Sequence, residues 1–190
     1  MILVYIGSMK HRDMMIDIET LGKTPDATVL TIAGVTFDRM GNYGMVADPT
    51  TLDFFYCRVE VENQNRQIDD DTVQWWAKQP DEAKAEAFAT DNRLPLGDAM
   101  KAFNSWAQGA DRYWANGVQF DFGILESCNR QLGYNNAWQF WQVLDARTIY
   151  KLVPDHFIPQ NNKHHALWDC LSQIQRLTEC FHKLGVYPNK

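Results

Sequence analysis

Residues 13–19 alternate in a way that dictates a strand with an unusual face. Met15, Asp17 and Glu19 point to one side, and Met14, Ile16 and Ile18 to the other. Asp17 and Glu19 therefore share a sheet face. The apolar flanks are those of a central strand, where charges need partners. Two carboxylates side by side on a rigid strand suit a hard cation such as Mg²⁺ or Mn²⁺. An exposed strand face would give the same D-x-E pattern. Thr28–Phe37 is β-branched and apolar, a buried second strand, and Gly41, Asn42 and Gly44 mark a turn within 38–44. Phe54–Val61 reads as a third strand, so the first third of the chain predicts an antiparallel meander.

The texture then changes. Asp69-Asp70-Asp71 precedes Thr72-Val73-Gln74-Trp75-Trp76 as a capped helix start, and Pro80–Phe88 and Pro95–Ala107 are further helices. Arg112–Ala115 is a short strand, Phe120–Leu132 a helix closed by Gly133, and Trp141–Leu144 another strand. In a last helix from Ala166 to Leu184, Leu167, Leu171, Ile174, Leu177, Phe181 and Leu184 step by three and four into one buried stripe. Three strands, then helix, strand, helix, strand, helix, predict a mixed α/β sheet of five strands covered by helices.

The chain has 190 residues, 45% of them hydrophobic and 22% charged, which fits a single domain with a real core. We assign residues 13–190 to that domain and residues 1–12 to an N-terminal extension. No apolar stretch is long enough for a membrane span, and Met1–Ile6 is too short for a signal peptide. The four cysteines, Cys57, Cys128, Cys170 and Cys180, contain no C-x-x-C pair; they read as reduced packing residues of a cytoplasmic protein. The net charge of −6 argues against a protein that coats a duplex through a basic stripe. It permits a nucleic-acid enzyme, because two bound divalent cations would bring −6 to −2 where a phosphate must sit. Aromatic residues are plentiful at 13%, with seven tryptophans available to pack or to stack on bases.

Three further segments carry chemistry. In Asn116-Gly117-Val118-Gln119-Phe120-Asp121 a strand ends, Gly117 turns the chain, and Asp121 falls in the first helical turn, where the helix dipole alone would also favour an acid. In His164-His165-Ala166-Leu167-Trp168-Asp169, His164 precedes the last helix and Asp169 lies one turn inside. A histidine there could deprotonate a water while Asp169 holds a metal; capping plus a surface His165–Asp169 pair is the plainer reading. Trp75 and Trp76, being adjacent, face different sides of their helix, so at most one is core-facing.

Taken in order and at these intervals, Asp17-Ile18-Glu19-Thr20-Leu21-Gly22, Asn116-Gly117-x-x-Phe120-Asp121 and His164-x-x-x-x-Asp169 resemble the three motifs of the DEDDh 3′–5′ exonucleases. Asp145-x-Arg147-Thr148 matches a further segment of that pattern. Thr72–Trp76 with Gln79 resembles a narrower branch, the DexA-type phage exonucleases and the mycobacterial-type 3′–5′ exoribonucleases. The resemblance spans residues 13 to about 184. Met1–Arg12 has no counterpart, and Trp168 stands where an acidic or polar residue is usual.

The resemblance implies an RNase H-like fold, three antiparallel strands then two parallel, and hydrolysis of phosphodiesters with two divalent cations, Mg²⁺ or Mn²⁺. It implies that Asp17, Glu19, Asp121 and Asp169 hold the cations and that His164 is the general base. Lys163, next to His164, would add favourable charge near the phosphate or be only solvated. Thr20, Leu21, Gly22, Asn116, Phe120, Trp75 and Trp76 would contact the substrate, Leu21 against the terminal base. The implied reaction releases nucleoside 5′-monophosphates from the 3′ end of single-stranded nucleic acid or an overhang. RNA is favoured over single-stranded DNA by the branch resemblance alone. A catalytically dead binding module is the competing reading, and a homodimer is compatible with some relatives. All five catalytic positions are filled.

Overall fold

The computed structural model describes residues 12–39, 53–154 and 164–186. Met1–His11, Met40–Gly44 of the expected turn, and Lys163 lie outside them. The strands are β1 (Asp13–Thr20), β2 (Val29–Phe37), β3 (Phe54–Val59), β4 (Arg93–Leu94), β5 (Arg112–Ala115) and β6 (Val143–Asp145). The helices are α1 (Asp70–Ala77), α2 (Asp81–Ala87), α3 (Leu96–Ala107), α4 (Val118–Leu132), α5 (Ala146–Leu152) and α6 (Ala166–Lys183). All the described strands form one sheet in the order β4-β3-β2-β1-β5-β6. β1, β2 and β3 pair antiparallel, whereas β5 joins β1, β6 joins β5 and β4 joins β3 in parallel.

Among the described residues the sheet thus has six strands, not five. The additional one is the two-residue β4, too short to leave a periodic signal in sequence, which pairs Arg93 with Arg58 and Leu94 with Val59 at the edge. A further helix, α5, was also unmarked; it is capped by Asp145, whose side chain accepts from the Arg147 amide.

β1 is central, as its apolar flanks predict, and both its faces are covered. Met14, Ile16 and Ile18 pack with Phe103 and Trp106 of α3 and Phe122 and Leu125 of α4. Met15 packs on the opposite side with Trp114, Tyr150 of α5 and the α6 stripe of Leu171, Ile174, Leu177 and Phe181. Trimming one such buried aliphatic side chain to alanine costs about 2–5 kcal/mol. Gly34 is demanded by packing, since a Cβ there would lie 2.6 Å from the Trp106 ring. All four cysteines are buried and unpaired. At the start of β1, buried Asp13 is matched by Arg39 Nη1 at 2.6 Å and by the Trp114 indole N–H at 3.1 Å. Two layers of helices around a central strand that ends in carboxylates bring the acidic residues to one end of the sheet.

Candidate active site

Three elements converge at the end of β1. The strand itself carries Asp17 and Glu19 on the face covered by α6. β5 pairs with β1 only as far as Met15. Beyond that point the Ile18 amide donates instead to Asp121 Oδ1, at 3.2 Å, from the first turn of α4. The Gln173 amide nitrogen of α6 donates to Asp17 Oδ1 at 2.8 Å. Asp169, one helical turn earlier, accepts the backbone N–H of His164 at 3.0 Å. His164 lies in the left-handed region, φ 66°. One ligand atom each of Glu19, His164 and Asp169 lie within 4.8 Å of one another.

The electrostatics are those of a site that wants positive charge. Burial, then the charges of Asp121, Glu19 and Asp169, push Asp17 well above the usual carboxylate range. Burial, Asp169 and Asp121 push Glu19 up to about 8. Burial raises Asp121 to about 7, against the pull of the Ile18 amide and of Arg147. Crowded carboxylates retain protons unless cations replace them. The donor set is made of hard oxygens, with an imidazole alongside, which suits Mg²⁺ or Mn²⁺ better than a soft metal.

Beside these carboxylates lies a cavity of about 380 Å³ lined by Glu19, Thr20, Gly22, Lys23, Asp71, Thr72, Trp75, Trp76 and Phe120. Trp75 is 41% exposed and Trp76 2%, so one tryptophan faces outward and the other inward. The buried Trp76 indole donates to the Thr20 carbonyl at 2.9 Å and braces the turn after β1. Trp75 meets the His164 ring edge-on, centroids 4.8 Å apart. Asp69 caps α1 by accepting from the Asp71 amide at 3.1 Å and from the Thr72 hydroxyl at 3.0 Å. Thr20, Gly22, Phe120, Trp75 and Trp76 are thus gathered around one cavity. Leu21 is not among its lining residues: it is 5% exposed and packed with Leu30, Trp76, Ala83 and Ala87. Asn116 is turned to Arg147, whose Nη2 donates to its carbonyl at 2.6 Å.

His165 meets Asp169 through the backbone, its carbonyl accepting the Asp169 amide N–H at 2.9 Å. It is the N-cap residue of α6. Its ring lies over Tyr56, centroids 5.4 Å apart, and the Tyr56 hydroxyl bonds Glu86, itself paired with Arg58 at 2.7 Å. Sequence reasoning missed Gln173, Lys23, Asp71 and Arg147's hold on Asn116. Gln173 carried one signal: it follows Asp169 by four residues and so shares its helix face.

Residues 12–181 match the family described as the Rv2179c-like 3′–5′ exoribonuclease domain. The chain belongs to this family. It is a 3′–5′ exonuclease, and its fold is that of a DEDDh nuclease domain. It is 26% identical over 157 residues to an exodeoxyribonuclease of Enterobacteria phage T4, covering 72% of this chain and 69% of that protein. Its fold is similar to that of S. pombe Pop2p in its Mg²⁺- and Mn²⁺-bound form, with a TM-score of 0.60 at 12% identity, over 92% of this chain and 84% of that one. It is similar also to the nuclease domain of 3′hExo, a DEDDh family member bound to rAMP, with a TM-score of 0.54 at 12% identity and 94% of each chain covered. No helix among the described residues of this exonuclease is long and apolar enough to cross a membrane.

Proposed function

We propose that this exonuclease removes nucleoside 5′-monophosphates one at a time from the 3′ end of single-stranded RNA, using two divalent cations, Mg²⁺ or Mn²⁺. The observation that carries the reading is the juxtaposition of the 380 Å³ cavity, of a size to seat one nucleoside, with the carboxylates that share Glu19 with it. Asp17, Glu19, Asp121 and Asp169 would hold the cations, in exchange for the protons that burial favours on Asp17, Glu19 and Asp121. Bound there, divalent cations supply an activated water and stabilise the leaving oxygen.

The chain's own residues do the rest. His164 accepts the proton of the attacking water as general base. Water adds to the scissile phosphorus, the bond to the upstream 3′ oxygen breaks, and that oxygen takes up a proton. Trp75 and Phe120 offer apolar faces to the terminal base, Thr20 and Gly22 border its sugar, and Trp76 keeps the Thr20 turn in place. Single strands suit the site because aromatic contacts reach only an unstacked end. The net charge of −6 provides no surface for a long duplex.

The family's description supports RNA. The likeness to the phage T4 exodeoxyribonuclease favours a second reading, single-stranded DNA. Digestion of matched single-stranded RNA, single-stranded DNA and overhang duplexes with Mg²⁺ or Mn²⁺ decides between them. The expected result is fastest release of 5′-monophosphates from RNA. Strand binding without release of any mononucleotide would make the chain a binding module instead.

A further inference from the structure

A second cavity adjoins the first. It holds about 650 Å³ and is lined by Lys23, Pro25, Gly117, Gln119, Phe120, Asp145 and Arg147. Lys23 and Phe120 line both, so they form the wall the two share. The chemistry changes across that wall. The first cavity is walled by aromatic rings; the second is lined by a guanidinium, by the exposed Lys23 ammonium, which also meets Asp69 Oδ2 at 3.7 Å, and by the carboxylate of Asp145. That carboxylate already accepts from the Arg147 amide at 2.8 Å.

Arg147 is exposed, and its guanidinium is tied to the turn after β5. Its Nη2 donates to the Asn116 carbonyl at 2.6 Å, and its Nε reaches Asn116 Oδ1 at 3.4 Å. The guanidinium lies so close over Gly117 that a Cβ there would come within 2.7 Å of Nη2. Gly117 also has φ 112°, so the turn needs glycine for both reasons. A guanidinium carries five N–H donors, and these contacts use two. Four residues beyond Gly117 stands Asp121, so this turn is continuous with the carboxylate cluster.

We propose that the second cavity seats the nucleotide upstream of the scissile bond, and that Lys23 and Arg147 bind its 5′ phosphate. The proposal rests on the first cavity being the seat of the 3′-terminal nucleoside. With that nucleoside in place, its 5′ phosphate is the scissile group and must lie at the carboxylates. The upstream nucleotide hangs from that phosphate by its 3′ oxygen, and the Gly117–Phe120 turn leading to Asp121 is the wall it meets next. A chain of net charge −6 repels every further phosphate unless cations are placed for it. Lys23 and Arg147 are so placed, the second as a planar fork suited to phosphate oxygens.

A dinucleotide with a free 5′ hydroxyl has the upstream nucleoside but lacks the upstream phosphate; the same dinucleotide phosphorylated at its 5′ end has both. Release of the 3′-terminal mononucleotide is measured for the pair with Mg²⁺. The unmodified enzyme is expected to favour the phosphorylated form in kcat/KM by about ten- to a hundredfold, the range for hydrogen bonds to a charged group. Its rate on that form should also fall more steeply with KCl. Arg147→Gln, and separately Gln119→Glu, which sets a negative charge in the cavity without touching either cation, should bring the preference close to unity. An enzyme indifferent to the 5′ phosphate, or variants that slow both dinucleotides by the same factor, would overturn the proposal while leaving the first cavity's role intact. If neither dinucleotide releases a mononucleotide with Mg²⁺ or Mn²⁺, the proposed function falls and this inference with it.

Discussion

The Gln173 amide donates to Asp17 Oδ1 at 2.8 Å, so the helix that carries one carboxylate also steers another on the strand opposite. Gln173 is 7% exposed, and its own amide oxygen is buried among atoms that offer it no hydrogen. Residues that orient metal ligands typically hold about 10–100-fold of the metal affinity. Gln173→Leu keeps the buried volume but removes the donor. We expect it to weaken Mn²⁺ binding, read by calorimetry or by the free Mn²⁺ resonance, by about tenfold or more. Unchanged affinity would make Gln173 a packing residue only.

Charge crowding at the same carboxylate yields a second prediction. Asp17→Asn should abolish hydrolysis yet leave the metal-free protein as stable as the parent, or more so. The reason is that burial, and then the charges of Asp121, Glu19 and Asp169, all disfavour a charge at Asp17. Asn can still accept from Gln173. Thermal unfolding in EDTA at pH 8 checks this; a large fall in Tm would mean that the Asp17 carboxylate is structural. Asp169→Ala should also be inactive. Its stability is a less clean readout, because the His164 amide loses its acceptor.

The pH dependence of metal-free stability has a definite sign. Burial pushes Glu19 up to about 8 from an ordinary value of 4.5, and Asp121 up to about 7 from 3.8. Between those limits the folded state holds more protons than the unfolded one, so stability falls as pH rises from about 4 to 8. Saturating Mg²⁺ displaces the protons and should flatten the slope. Unfolding in urea across this range, with EDTA and with Mg²⁺, measures both slopes. A metal-free slope of the opposite sign would contradict the carboxylate shifts.

Much of this arrangement was legible in the chain, and the reason is periodicity. Strand alternation alone placed Asp17 and Glu19 on one face, and the helix stripe from Leu171 to Phe181 fixed which side of α6 is buried. The pairing of Trp75 and Trp76 as one outward and one inward residue also follows from helix geometry. What escaped was set by contacts distant in sequence. Gln173 meets Asp17 across 156 positions, Trp76 reaches the Thr20 carbonyl across 56, and Arg147 lies over Gly117 from a helix with no periodic signature. Leu21 illustrates the converse: its motif position suggested the substrate, but its side chain fills the small core beneath α1 and α2.

The two tryptophans should therefore fail differently. Trp75→Ala removes an exposed ring from the wall of the first cavity, so KM for single strands should rise by about tenfold or more, the range for losing one stacked base, with Tm little changed. Trp76→Ala empties a buried site and removes the indole donor to Thr20, at a cost of about 3–5 kcal/mol. Steady-state kinetics and thermal unfolding on both variants separate the two. A Trp75→Ala enzyme with unaltered KM would remove that ring from the substrate path.

The two neighbouring histidines also part company. His164 brings a ring nitrogen within 4.8 Å of Glu19 and Asp169 oxygens, and Trp75 flanks it. His165 caps α6 with its ring over Tyr56, and its Nδ1 is buried without a partner. As general base, His164 should be worth about 10²–10⁴ in kcat when changed to Ala, with Mn²⁺ affinity nearly intact. His165→Ala should instead lower stability, by about 0.5–3 kcal/mol, and cost far less in kcat. The Mn²⁺ titration is the deciding measurement, because Glu19, His164 and Asp169 stand close enough to chelate one ion. A tenfold or greater loss of Mn²⁺ affinity in His164→Ala would make that imidazole a ligand, and the proton of the attacking water would then need another acceptor.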